Sequence, residues 1–180
     1  YLAGVMAGEY LGSIGHKRVA TVTGPRITQW ARDRLDGFRD GLAKYQAQLE
    51  WQYSQTDLPD FETGLAACDA LMADYAGRAL PTAIWAQNDI IAAAVLKSLT
   101  NQGYRVPEDI SLLGMDDIQL CTMVTPMLST IHQPLREIAQ ESIRIIMENE
   151  PGAKPQPRRV FLTPTLQVRE STAPPNPVAD

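Results

Sequence analysis

"TAIWAQNDIIAAAVLKSLTNQGYRVPEDISLLGMDD", residues 82–117, holds two short apolar runs on either side of a helical pattern. The first run, "TAIWAQND", ends on amides and an acid. "IIAAAVLKSLTNQG" then repeats apolar residues at helical spacing and stops on Gly103, a residue suited to ending a helix. The second run, Ile110, Leu112 and Leu113, ends at Gly114 and delivers Met115 and the adjacent carboxylates Asp116 and Asp117. Strand, helix and strand in this length predict a βαβ unit with parallel strands, because the helix carries the chain back across the sheet.

The pattern repeats upstream. "KRVATVTGP" (17–25) is a β-branched strand, followed by a long amphipathic helix with Ala31, Leu35, Phe38, Leu42 and Tyr45 on one stripe. "LEWQYSQTD" (49–57) precedes a helix from about Gly64 to Tyr75, with Leu65, Cys68, Leu71 and Met72 at helical spacing. Tyr1 opens directly into a further helical pattern (Leu2, Val5, Met6, Tyr10, Leu11, Ile14) that stops at Gly15, which reads as a chain cut at its N-terminus. Strands alternating with helices predict an α/β fold with a doubly wound parallel sheet.

Past Pro126 the period breaks. "STIHQP" is extended, 135–149 is an amphipathic helix (Leu135, Ile138, Ile145, Ile146), and "EPGAKPQP" is a turn. "RRVFLTPTLQVRES" is strand-like with an interruption at Pro164, and "TAPPNPVAD" reads as a loose terminus.

The 180 residues are 44% hydrophobic and 21% charged, enough to bury a core, and the net charge of −5 gives this chain no electrostatic affinity for nucleic acid or anionic membrane. Cys68 and Cys121 lie in no CxxC or zinc-spaced cluster, so free thiols in a reducing compartment are expected, with no metal and no cofactor. No run approaches the ~18 apolar residues of a membrane helix and no signal peptide opens the chain, which predicts a soluble cytoplasmic protein.

An open parallel sheet brings the C-terminal ends of its strands to one edge, where ligands bind. That edge would collect the loop from Gly24 to Arg32, Thr56 and Asp57, then Gln87, Asn88 and Asp89, and finally Asp116 and Asp117. One guanidinium with amides and carboxylates suits a neutral polyhydroxylated ligand, whose hydroxyls both donate and accept. No GxGxxG or GxxxxGK[ST] follows any strand, so nucleotide phosphates fit poorly. Asp89 reads best as a helix N-cap and Asp117 as a turn cap. Asn88 and Asp116 fit turn chemistry and ligand contact equally, and Arg32 also fits a solvated helix face. His16 and His132 fall in a turn and an extended connection, and no nucleophile elbow supports a His-based catalytic set, so no enzyme is expected.

The ordered set "LGSIGHKRVATVTGP", "ARDRLDGFRDGL", "PTAIWAQNDIIAAAVLKSLTNQGYRVPEDISLLGMDD", "TPMLSTIHQPLREIAQESIRIIM" and "VRESTAPP" resembles the effector-binding core of LacI/GalR-type bacterial transcription regulators from about Ala3 to Pro175. The resemblance implies a periplasmic-binding-protein-like, two-lobed fold of which mainly the C-terminal lobe is present, here 15–132 and 163–180. Residues 133–162 would return to the N-terminal lobe, and 1–14 would be a helix leading in. It also implies a small-molecule effector between the lobes, operator DNA bound by a helix-turn-helix absent from this chain, and a homodimer. Carried over by position, Arg32, Asn88 and Asp116 would bind effector, with Gln133 a weaker candidate at the hinge. Where many members stack an aromatic residue on the effector this chain has Pro59, and Phe61 is the nearby substitute. The dimer would use Ala92, Leu96 and Leu99 with Leu120, Met123 and Val124, which otherwise read as ordinary core.

The leading expectation is therefore a ligand-responsive transcription regulator sensing a sugar or sugar derivative. The alternative is a periplasmic-type sugar-binding protein for transport. A third reading, a receiver-like domain with a magnesium or phosphoacceptor site at the paired acids, needs a late lysine where the last strand supplies Arg169.

Overall fold

The computed structural model describes residues 1–24, 27–54, 60–148 and 158–177; Thr56, Asp57, Pro59 and the "EPGAKPQP" turn lie outside them. The elements are α1 (Leu2–Ser13), β1 (Arg18–Thr23), α2 (Gln29–Ala43), β2 (Gln48–Ser54), α3 (Phe61–Asp74), β3 (Ala83–Ala86), α4 (Asp89–Asn101), β4 (Ser111–Asp116), β5 (Ser129–His132), α5 (Leu135–Glu148) and β6 (Thr165–Gln167), with a 3-10 turn at Gln119–Thr122.

They form one sheet in the order β2-β1-β3-β4-β5-β6. The first five strands are parallel, and β6 runs antiparallel to β5 at the edge. This is the doubly wound α/β architecture expected from the periodicity, with the strand order reversing between β1 and β3. Alternation along the strands sorts the core onto two faces. Val19, Ala83, Trp85, Leu113 and Met115 meet Ala7 and Leu11 of α1 and Phe38 and Leu42 of α2 on one face. Ala20, Val22, Ile84, Ala86 and Leu112 meet α3 and α4 on the other.

The α1–α2 contact differs from the expected stripe. The buried face of α1 is Ala3, Gly4, Ala7, Gly8, Leu11 and Gly12, while Val5 and Met6 are only half-buried. The reason is proximity of the two backbones: a Cβ on Gly8 would lie 2.4 Å from the Phe38 carbonyl oxygen, and one on Gly41 2.3 Å from that of Val5. A search for large apolar residues passes over such a surface. Ala7 and Leu11 of α1 are fully buried in the core on this face of the sheet.

The C-terminal tail also departs from expectation. Only Thr165–Gln167 of the long strand-like segment pairs, and the following residues are tied down rather than loose. Leu112 N donates to Ser171 O (2.7 Å), Ser171 Oγ donates to Leu112 O (2.6 Å), and Ala173 N donates to Ser111 Oγ (3.0 Å). Cys68 and Cys121 are buried thiols on the α3–α4 face, and burial pushes both pKa values up. Among the described residues, no helix is long and apolar enough to cross a membrane.

His16 closes the other end of the sheet. Its Nε2 donates to Ala173 O (3.0 Å), which leaves Nδ1 to accept from the Thr82 hydroxyl (2.9 Å). Burial pushes its pKa down to about 4, so the folded chain holds the neutral ring where an unfolded chain would protonate it. Its stabilising contribution is complete above the ordinary histidine value and is lost as the pH falls toward 4. Urea denaturation at pH 7.5 and pH 5 should therefore show wild type losing about 2 kcal/mol more than His16→Gln over that interval. Equal losses in the two proteins would remove His16 as the titrating group.

Candidate functional site

The C-terminal edge of the sheet carries an open cleft of about 360 Å³, lined by Trp30, Arg34, Gln87, Asn88, Asp116 and Gln133. Each arrives by a βα or ββ connection: Trp30 and Arg34 on α2 after β1, Gln87 and Asn88 after β3, Asp116 at the end of β4, and Gln133 one residue past β5. It straddles the point where the strand order reverses, as an open α/β sheet requires.

Asn88 is the N-cap of α4, its Oδ1 accepting from Ile91 N at 2.7 Å. The cap is therefore Asn88 and not Asp89. Asp89 is instead buried, and accepts from Thr130 Oγ1 (2.6 Å) and Ile118 N (2.9 Å). Burial pushes its carboxyl pKa up, against the lowering effect of those donors.

Asp116 and Asp117 both adopt positive φ, 113° and 61°. Consecutive left-handed aspartates cost about 1–3 kcal/mol each and persist only where their surroundings hold them. Asp117 is held by Arg169 Nη2 (2.6 Å) and by His132 Nδ1 (3.0 Å). Asp116 accepts from the Gln133 amide. Burial pushes the Asp116 carboxyl pKa up, while the Gln133 donor and the Arg34 charge pull it down. Arg34 is lowered by burial and raised by Asp116. Its Nη1 donates to Gln87 O (3.3 Å), and its guanidinium lies over the Trp30 ring at 4.9 Å from the centroid.

The cleft thus joins Asn88, Asp116 and Gln133 of the expected set, but not Arg32 or Phe61. Arg32 is exposed, donates to Ile27 O (2.8 Å) and Gln29 Oε1 (2.9 Å), and lines a separate pocket of about 200 Å³ with Asp36 and Arg39. The basic residue in the cleft is Arg34. Two residues along a helix turn the side chain by about 200°, so Arg32 and Arg34 leave opposite flanks of the Ala31–Leu35–Phe38 stripe. The missed signal was that Arg34 shares its flank with Trp30, Gly37 and Gly41. Phe61 opens α3 on the opposite face of the sheet, packs against the core there and carries Lys97 over its ring (5.6 Å).

The expected dimer residues divide likewise. Ala92, Leu96 and Leu99 are buried in the core between α3 and the sheet, because α4 is apolar nearly all round. Leu120 and Val124 are half-buried against that core, while Met123 is 71% exposed. Among the described residues, no group of three or more His, Cys, Asp or Glu is placed to hold a metal.

The arrangement of one guanidinium, one carboxylate, three amides and an indole has no nucleophile–base pair and can do reversible binding by hydrogen bonds and stacking. The family described as "Periplasmic binding protein-like domain" matches residues 9–172. The chain is 34% identical over 170 residues to the ribose operon repressor of Escherichia coli (strain K12), covering 94% of this chain and 51% of that protein. It is 35% identical over 169 residues to the HTH-type transcriptional repressor PurR of Photobacterium profundum, covering 93% and 49%. The chain thus spans about half the length of the curated relatives it matches. A LacI family transcriptional regulator from Enterococcus faecium with bound ribose superposes with a TM-score of 0.80 at 29% identity, covering 96% of this chain and 63% of that one. The chain belongs to the periplasmic binding protein-like domain family, in the form found in LacI-type transcription regulators.

Proposed function

We propose that the chain is the larger part of the effector-binding region of a cytoplasmic, ligand-responsive transcription regulator, and that Arg34, Asn88, Asp116 and Gln133 contact a neutral sugar or sugar derivative. The observation that carries this is the balanced polar lining of the sheet-edge cleft, in which charge of both signs is matched and amides predominate. A hydroxyl satisfies a carboxylate and a guanidinium in turn, whereas a phosphate would set its negative charge against that of Asp116. The relatives named as repressors favour regulation over transport.

The cleft is half of a binding site, and α5 supports a second half. Every residue of α5 is outside the core, yet it presents Leu135, Ile138, Ile143, Ile146 and Met147. Val160 and Phe161, near the end of the 133–162 return segment, are likewise exposed. We assign this segment to a second lobe that closes over the ligand, with the rest of that lobe and a DNA-binding helix-turn-helix in the part of the protein beyond this chain. Effector binding would change the angle between lobes and so the spacing of two DNA-binding heads. The dimer that this requires would use the exposed Ile90 and Met123 with the half-buried Leu120 and Val124, rather than the buried Ala92, Leu96 and Leu99.

Titration calorimetry of the full-length protein against D-ribose, D-glucose, D-galactose and cellobiose should detect binding of at least one. Arg34→Ala and Asp116→Ala should each weaken it by about 10- to 100-fold, the scale of a lost charge-assisted hydrogen bond, while Arg32→Ala leaves it unchanged. The reverse ranking of the two arginines would return the site to the other side of α2. Sedimentation of Met123→Asp should show a shift from dimer toward monomer, and an unchanged dimer would move the interface elsewhere.

A further inference from the structure

Gln87 is the lining residue whose side-chain polar atoms are buried with no hydrogen bond among the described residues. Its backbone is fixed at both ends, the N–H donating to Val22 O (3.0 Å) and the carbonyl accepting from Arg34 Nη1 (3.3 Å). The residue is 2% exposed, and both its Nε2 and its Oε1 are buried with no partner among the described residues. The other cleft groups are engaged: Asp116 with Gln133, Asn88 with Ile91 N, Arg34 with Gln87 O and Trp30. β3 otherwise buries Ala83, Ile84, Trp85 and Ala86, so an apolar residue at position 87 would continue its pattern without stranding an amide. By strand alternation Gln87 points to the Trp85 face, the face of α2 and its cleft residues.

We propose that Gln87 is a specificity-determining residue of the cleft, its amide turning into the space it lines to take a hydroxyl, or a vicinal pair of hydroxyls, of the bound sugar. This rests on the sugar-binding reading above. An amide needs an acceptor for its N–H and a donor for its carbonyl, and a hydroxyl group supplies both. A ligand lacking that hydroxyl leaves the amide unpaired, and sites that reject a missing hydroxyl do so by this penalty. Selectivity comes from a group the empty site leaves unsatisfied, whereas Arg34 and Asp116 supply affinity that many polyols share.

The test compares wild type with Gln87→Met, which keeps the volume and removes the amide. Full-length protein is titrated with D-ribose, D-glucose, D-galactose and cellobiose, and then with the monodeoxy derivatives of the sugar that binds tightest. Wild type should reject one deoxy derivative at least about 10-fold, and Gln87→Met should bind the parent about 10-fold or more weakly and lose that rejection. In the ligand-free state Gln87→Met should melt at the same temperature or about 2–4 °C higher, because an unpaired buried amide has been removed. A sugar that binds Gln87→Met as tightly and as selectively as wild type overturns the assignment alone. So does a lower melting temperature of the ligand-free variant, which would mean that the amide is paired within the protein. If wild type binds none of these sugars, the sugar reading and this assignment fall together.

Discussion

The floor of the cleft depends on one buried carboxylate. Asp89 begins α4, yet its oxygens reach Thr130 on β5 and Ile118 N in the turn after β4, so that one side chain ties together the ends of three neighbouring strands. β4 admits it only because residue 114 is glycine, where a Cβ would lie 2.3 Å from Asp89 Oδ1. A buried carboxylate carries a desolvation cost that its donors offset only while all are in place. The positions of Asn88, Asp116 and Gln133 therefore follow from the geometry around a residue that does not line the cleft itself.

Beside it lies a second, more accessible brace. Asp117 joins Arg169, beyond β6, to His132 at the end of β5, and His132 stands next to the point where the chain leaves the sheet through Gln133. The paired aspartates thus divide their work between neighbours in sequence. Asp117 faces Arg169 and His132 of its own chain, and its restraint holds Asp116 in a backbone conformation that a free aspartate rarely adopts.

The βα units were legible in the sequence because strand and helix periods differ and because α1 and α4 close on the glycines Gly15 and Gly103. What escaped that reading follows from geometry rather than composition. Arg32 and Arg34 sit two residues apart in "ARDR", and polarity gives no reason to prefer one; their placement depends on which flank of α2 meets the cleft. "ND" presents two good capping residues, and only burial separates the cap, Asn88, from the brace, Asp89. The apolar run of α4 reads as interface or core until α3 is seen covering it. The tail "STAPP" looks unstructured by composition, yet its backbone carbonyls and hydroxyls complete the bonding of β4 and His16.

The glycine contact between α1 and α2 has a mechanical meaning. With backbone set directly against backbone at Gly8 and Gly41, no flexible side chain lies between the helices there to absorb a shear. The pair behaves as a single stiff plate, and Trp30 and Arg34 are mounted on its edge. A force applied at the first turn of α1 would reach the cleft with little loss, so a displacement of whatever adjoins that turn translates into a displacement of the guanidinium.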